Sequence, residues 1–142
     1  MRPRYRAWLK KKKKMVATDD LVNISFEDEE ICVQTLYFEE GLMSERDLDY
    51  YEFDEIELMQ STSLRDMNNR EIFEGDIISD GHTSRDIRHH QTLGFYTIDG
   101  NGVEEFFGDT ASLEDFEETS KYMSENIEII GNIYENKELL DA

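Results

Sequence analysis

Hydrophobic and polar residues alternate with a period of two over short stretches along most of the chain, the pattern of half-buried β-strands. Leu21 to Phe26 is the plainest case, with Val22, Ile24 and Phe26 on one side and Asn23 and Ser25 on the other. Tyr5, Ala7 and Leu9 likewise share one face of an extended segment, and Arg6 and Trp8 share the opposite one. After an acidic connection at Glu27-Asp28-Glu29-Glu30, the run Ile31 to Phe38 is rich in β-branched and aromatic residues and pairs back as a hairpin that Gly41 ends. Glu45 to Glu57 fits neither period. Leu48, Tyr51 and Glu55 repeat at helical spacing while Tyr50-Tyr51 suits a strand, so the segment reads as a loop followed by a strand from Glu55 to Gln60.

The second half of the chain is organised around Gln60 to Asp80. Leu64 to Ile72 reads as a β-hairpin turning at Asn68-Asn69, because asparagine tolerates the left-handed backbone region better than most residues with a side chain. Phe73-Glu74-Gly75-Asp76 is a second turn, its glycine permitting positive φ just before Ile77-Ile78. Leu93 to Ile98 and Val103 to Phe107 form a hairpin linked by Asp99-Gly100-Asn101-Gly102. Ser112 can cap a helix running to about Lys121-Tyr122, its early acids Glu114 and Asp115 suiting the positive end of the helix dipole. Ile127 to Tyr134 reads as a buried strand in which Gly131 marks a bulge or a close backbone approach, followed by a short, helical tail. Roughly eight short strands and one or two short helices predict a mainly β fold of small barrel-like sheets.

Three blocks together carry a family resemblance: Tyr5-Arg6-Ala7-Trp8, the Gln60 to Asp80 stretch, and Ile129-Ile130-Gly131-Asn132-Ile133-Tyr134-Glu135-Asn136. In this order and over nearly the whole chain, they resemble the YopX family of bacteriophage and prophage proteins. Departures exist: the family often has Thr-Gly where this chain has Thr62-Ser63, Asn-Gly where it has Asn68-Asn69, and proline at the position of Lys137. The resemblance implies a mostly β fold and a phage origin, and it implies no activity.

Composition narrows the picture. A chain of 142 residues fits a single domain, 1-142, with the basic segment 1-14 included, and can bury roughly two-thirds of its unfolded surface. At 38% hydrophobic and 35% charged residues the core must be economical, and eight Phe, seven Tyr and one Trp supply area efficiently. The formal charge is −19, yet eight of the fifteen basic residues lie between Arg2 and Lys14, a segment with no acid. From Met15 onward seven bases face 34 acids, a charge of −27. Such a body repels phosphate backbones, which argues against nucleic-acid binding over most of its surface. The lone Cys32 permits no intrachain disulfide and reads as a small apolar strand residue. No apolar run reaches the length of a membrane span, and the basic start lacks the apolar core of a signal peptide, so the expected location is cytoplasmic.

Candidate chemistry is thin. Glu74 and Asp76 flank Gly75 and could form an acid/base pair, but a turn explains them without a pocket. His82, His89 and His90 fall within nine residues, and imidazole with carboxylate suits zinc. Adjacent His89 and His90 point to opposite faces of a strand, however, and no His-Glu-x-x-His pattern exists. The Asp99 to Gly102 loop lacks the following Lys-Ser or Lys-Thr of a phosphate loop. No catalytic, cofactor-binding or metal-ligating set is therefore nominated. The leading expectation is a phage accessory protein that binds another protein, with a homo-oligomer in view. Lys10 to Lys14 is then a solvated turn, a grip on nucleic acid, or a pairing with the acidic body of a second copy. The alternatives are an acidic nucleic-acid mimic that occupies a host DNA- or RNA-binding protein, and a metal-dependent enzyme.

Overall fold

The computed structural model describes residues 4–106 and 113–140, with the side chains of Phe106 and of Leu113 to Asp115 outside the description. The described chain is mainly β, with a curled half-barrel among its sheets and one α-helix. It divides into two compact units, one up to Gln60 and one from Ser61. Ser112, the expected helix cap, Phe107, and Arg2 of the basic segment lie outside the described residues.

In the first unit, β1 (Tyr5–Leu9) and β2 (Lys14–Val16) form a hairpin whose turn is the lysine run, and β1 also pairs antiparallel with residues 56–60 of β6 (Ile56–Arg65). β3 (Leu21–Ser25), β4 (Glu30–Glu39) and β5 (Leu42–Glu52) make a second antiparallel sheet in that order. Ala7, Leu9, Val16, Ile31, Val33 and Ile56 form the core, with Leu21, Ile24, Tyr51, Phe53 and Leu58 packed against it. Trp8, on the other face of β1, is buried too.

Two sequence expectations change here. The strand at Leu21 does not bury Val22, Ile24 and Phe26 together. Leu21 pairs with Val33 and Asn23 with Cys32, which leaves Val22 as the extra residue of a bulge. The bulge shifts the alternation by one, so Leu21 and Ile24 reach the core while Val22 and Phe26 are exposed. The ring of Phe26 instead lies edge-on to Tyr5 and Phe53, at centroid distances of 6.1 and 5.8 Å. The second correction is larger: Glu45 to Glu57 is not a loop. Leu42–Glu52 is an 11-residue strand, followed by a 3-10 turn at Phe53–Glu55 before β6 begins. Ten of its residues are exposed, so no buried face imposed an alternation on the sequence. Pairing with β4 is what makes it a strand.

In the second unit, residues 61–65 of β6 pair with β7 (Glu71–Phe73), and β8 (Asp76–Ser79), β9 (Ser84–His90), β10 (Gly94–Asp99), β11 (Glu104–Phe106) and β12 (Glu128–Asn132) form a sheet in the order β11-β10-β9-β8-β12. The helix α1 (Leu113–Asn126) runs four residues beyond the expected end, because Met123 and Ile127 are both buried. They join Leu64, Ile72, Ile78 and Ile87 in a core flanked by Phe95, Phe116 and Ile129. The hairpin at Asp99 forms as expected: Asp99 Oδ1 accepts the N–H groups of Asn101 and Val103, and Gly102 takes φ of 82°. Gly131 meets both descriptions offered for it. The β12–β8 register shifts between Ile129 and Gly131, and the Asn136 side chain packs directly over the glycine. The tail ends in a 3-10 turn at Lys137–Leu140.

Candidate functional site

In the stretch from Gln60 to Asp80, buried polar side chains hold an irregularity within β6 and the two turns that follow it. In β6, Thr62 Oγ1 donates to the Ile72 carbonyl at 2.7 Å and accepts the Leu64 N–H, while Ser63 between them sits at φ of 66°. At the hairpin tip Asn69 takes φ of 64°, and the carboxylate of Asp66 is fully buried beneath it. Asp66 Oδ1 accepts the N–H groups of Asn68 (3.0 Å) and Arg70 (2.9 Å), and Oδ2 accepts that of Ile129 (2.9 Å). The Arg70 guanidinium lies 3.4 Å from Oδ2 and also donates to the Ile129 carbonyl. Burial pushes the Asp66 carboxyl up, but the three N–H groups and the Arg70 charge outweigh it and hold the group below the usual carboxylate range. Asp66 thus ties the hairpin to β12. It is a structural hub that the sequence did not single out.

The Glu74-Gly75-Asp76 candidate resolves into a turn. Gly75 has φ of 88°, its N–H donates to the Ile87 carbonyl, and its own carbonyl accepts the Ile133 N–H. Asp76 is buried and its Oδ2 accepts the Phe73 N–H at 2.7 Å, closing the turn from inside. The histidines do not converge on one point through their ring contacts. His89 packs on the Phe95 ring at 4.6 Å, whereas His90 Nδ1 accepts the N–H groups of Thr92 and Leu93. His82 is exposed in the β8–β9 turn, where its N–H caps Asp80. Among the described residues, Glu52, Asp54 and Glu55 are the carboxylates that come close enough together to share a cation. Glu52 and Glu55 already serve as a reciprocal capping box around the 3-10 turn.

The first unit holds a different kind of feature. β4 and β5 form a ribbon that extends beyond β3, since only Leu21 to Ser25 of β3 pairs with β4 and reaches no further than Val33. A two-residue turn at Glu40-Gly41, with φ of 54° and 82°, closes the ribbon tip. Cross-strand partners share a face, so one face carries Ile31, Val33, Tyr51 and then Asp49, Asp47 and Glu45. The opposite face carries Cys32 with Tyr50, Gln34 with Leu48, Leu36 with Arg46, and Phe38 with Met43. Phe38 and Tyr50 are each 64% exposed, Met43 58% and Leu48 43%. Over this stripe the one charged side chain is Arg46, whose Nε donates to Gln34 Oε1 at 3.0 Å. Yet the segment from Glu30 to Glu52 contains seven acids and one base. Asp49, Asp47 and Glu45 lie on one face, with the exposed Tyr37 among them, and Glu30 and Glu52 bound the other face at its far end, leaving an apolar stripe between that pair and the ribbon tip. An isolated two-stranded ribbon gains little stability from such a face in water, and contiguous exposed apolar surface marks interaction sites.

The lysine turn lies in the same unit. Lys10 reaches the Asp54 carbonyl and, at 3.5 Å, Glu57, and the Lys12 ammonium lies 5.6 Å from the centroid of the Tyr51 ring. Lys11, Lys13 and Lys14 are exposed. Glu45, Asp47 and Asp49 form one row at about 7 Å spacing, the distance between alternate residues of a strand.

The sequence model of the YopX protein family matches residues 4–141. The crystal structure of protein EF1440 from Enterococcus faecalis is similar over 99% of both chains, with 24% sequence identity and a TM-score of 0.59. The crystal structure of protein yopX from Bacillus subtilis is similar over 96% of this chain and 97% of that one, with 19% identity and a TM-score of 0.55. These likenesses concern the fold. No curated protein sequence matches the chain.

Proposed function

We propose that this chain, which belongs to the YopX protein family, is a non-catalytic accessory protein of a phage or prophage that acts in the bacterial cytoplasm by binding protein, in the first place a second copy of itself. The observation that carries the reading is the exposed apolar stripe of Phe38, Met43, Leu48 and Tyr50, with the half-buried Leu36 among them, on a ribbon otherwise dense in acids. Two copies of a body this acidic repel one another over most orientations. On the stripe they can meet without setting carboxylate against carboxylate. The exposed Lys11, Lys13 and Lys14 of one copy then complement the Glu45, Asp47 and Asp49 row of another. The charge-mimic alternative asks for two rows of acids, and β5 provides one.

The test is solution mass by light scattering at low and high salt, on the wild type and on Phe38→Glu/Leu48→Glu. A defined oligomer that the double substitution reduces to a monomer, with the circular dichroism spectrum unchanged, is the expected result. Persistence in high salt assigns the contact to the stripe, and dissociation in high salt assigns it to the lysine turn. A wild-type monomer at both salts overturns self-association and directs the search to a basic host protein.

A further inference from the structure

A cavity of about 370 Å³ in the second unit lies between one face of the β8–β11 sheet and α1. Its floor is apolar, formed by the buried Ile78, Met123 and Ile127. Its other wall is polar: Arg85 projects from β9, with its guanidinium 2.8 Å from Glu105 Oε2 and 3.4 Å from Thr97 Oγ1. The size falls in the range of small-ligand sites, and a mostly apolar pocket with a few converging polar groups is their usual composition.

The charges around it indicate what such a ligand carries. Arg85 is neutralised by Glu105, which leaves the carboxylates of Asp80 and Glu118 as the remaining lining charges. Asp80 Oδ1 accepts the N–H groups of His82 and Thr83, which fixes its side chain at the rim in ionised form. An anion entering here meets a net negative lining inside a strongly acidic body, whereas a cation is drawn in. The half-exposed Tyr122 lines the cavity beside them, and an aromatic ring attracts a cation.

We infer that this cavity is a binding site for a small organic cation, an amine or amidine with an apolar body, held by Asp80, Glu118 and Tyr122 at the rim and by Ile78, Met123 and Ile127 at the floor. Geometry and charge assign the site independently of any self-association. The experiment is a heteronuclear NMR titration of the full chain with benzamidine and, separately, with benzoate, a planar anion of nearly the same shape. Benzamidine is expected to shift the amide signals of Thr83, Thr97, Thr119 and Met123 with a dissociation constant on the order of 1 mM, and benzoate to leave them unmoved. Glu118 is exposed, so Glu118→Gln should fold normally and weaken benzamidine by about fivefold. Glu118→Lys should reverse the preference between the two probes. Equal binding of benzoate, or benzamidine shifts that ignore both Glu118 variants, overturns the charge assignment. No shift at these amides with either probe overturns the site.

Discussion

At the residue scale, the second unit depends on Asp66. Asp66→Asn keeps the shape but turns one oxygen into an NH₂ group facing the Ile129 N–H, donor against donor. Leaving that buried amide unpaired should cost about 2 kcal/mol, read as a lower midpoint in urea unfolding, whereas the half-exposed Arg70 stays solvated and adds little. The pH dependence follows from the direction of the shift. The folded-state carboxyl titrates below its unfolded counterpart, so its contribution is complete above the unfolded value of about 3.9 and fades as pH falls through the lower, folded value. Acid unfolding should therefore steepen below about pH 4 in the wild type and lose part of that steepness in Asp66→Asn. Ser63 offers the opposite sign. Its side chain is exposed and its backbone sits at φ of 66°, a conformation that costs a β-carbon but not glycine. Ser63→Gly retains the N–H bond to Ser61 Oγ and should stabilise by about 0.5–1 kcal/mol in the same unfolding assay.

Elements show where a period in sequence was enough and where it was not. The hairpin at Asp99 to Gly102 was legible because turn chemistry is local: a carboxylate and a glycine settle the geometry within four residues. β5 was illegible because nearly every side chain on it faces water and no core selects which positions are apolar. The end of α1 is illegible for a related reason: its core contacts, the partly buried Phe116 and the buried Met123, with Ile127 just past its end, are too sparse to trace a helical stripe among charged neighbours. A glycine inside the strand at 131 signals a bulge or a close approach, but what approaches it lies five residues on and depends on the chain turning back. A β-carbon there would sit within 2.8 Å of Asn136 Cβ and Cγ. Gly131→Ala should displace Asn136, whose Oδ1 accepts the Asn132 N–H, and destabilise β12 by about 1–3 kcal/mol. Hydrogen exchange should show the loss first at Glu128 to Asn132.

For the whole molecule, charge sets the behaviour. With −27 outside the basic segment, self-repulsion opposes the compact state and is screened within about 10 Å at 0.1 M salt. The thermal midpoint should therefore rise as sodium chloride increases from low to moderate concentration, and a flat or falling midpoint in differential scanning calorimetry would count against net repulsion. The two compact units divide between Gln60 and Ser61, in the interior of β6. No linker composition marks that point, since Met59-Gln60-Ser61-Thr62 holds neither glycine nor proline.

The sequence by itself determined the class of fold, the turns, the acidic character and the family, because these rest on local backbone preference, period-two alternation and motif order. Three blocks, Tyr5 to Trp8, Gln60 to Asp80 and Ile129 to Asn136, were sufficient for the last of these. Tertiary structure decided which carboxylates are buried hubs and which are surface charge. Asp66, Asp76 and Asp86 look like any of the 34 acids in the sequence, but each is at most 2% exposed. It also decided that Phe38, Met43, Leu48 and Tyr50 face solvent rather than a core. Burial is a property of what lies opposite a side chain in space, and a partner strand, a bulge or a returning backbone many residues away supplies it.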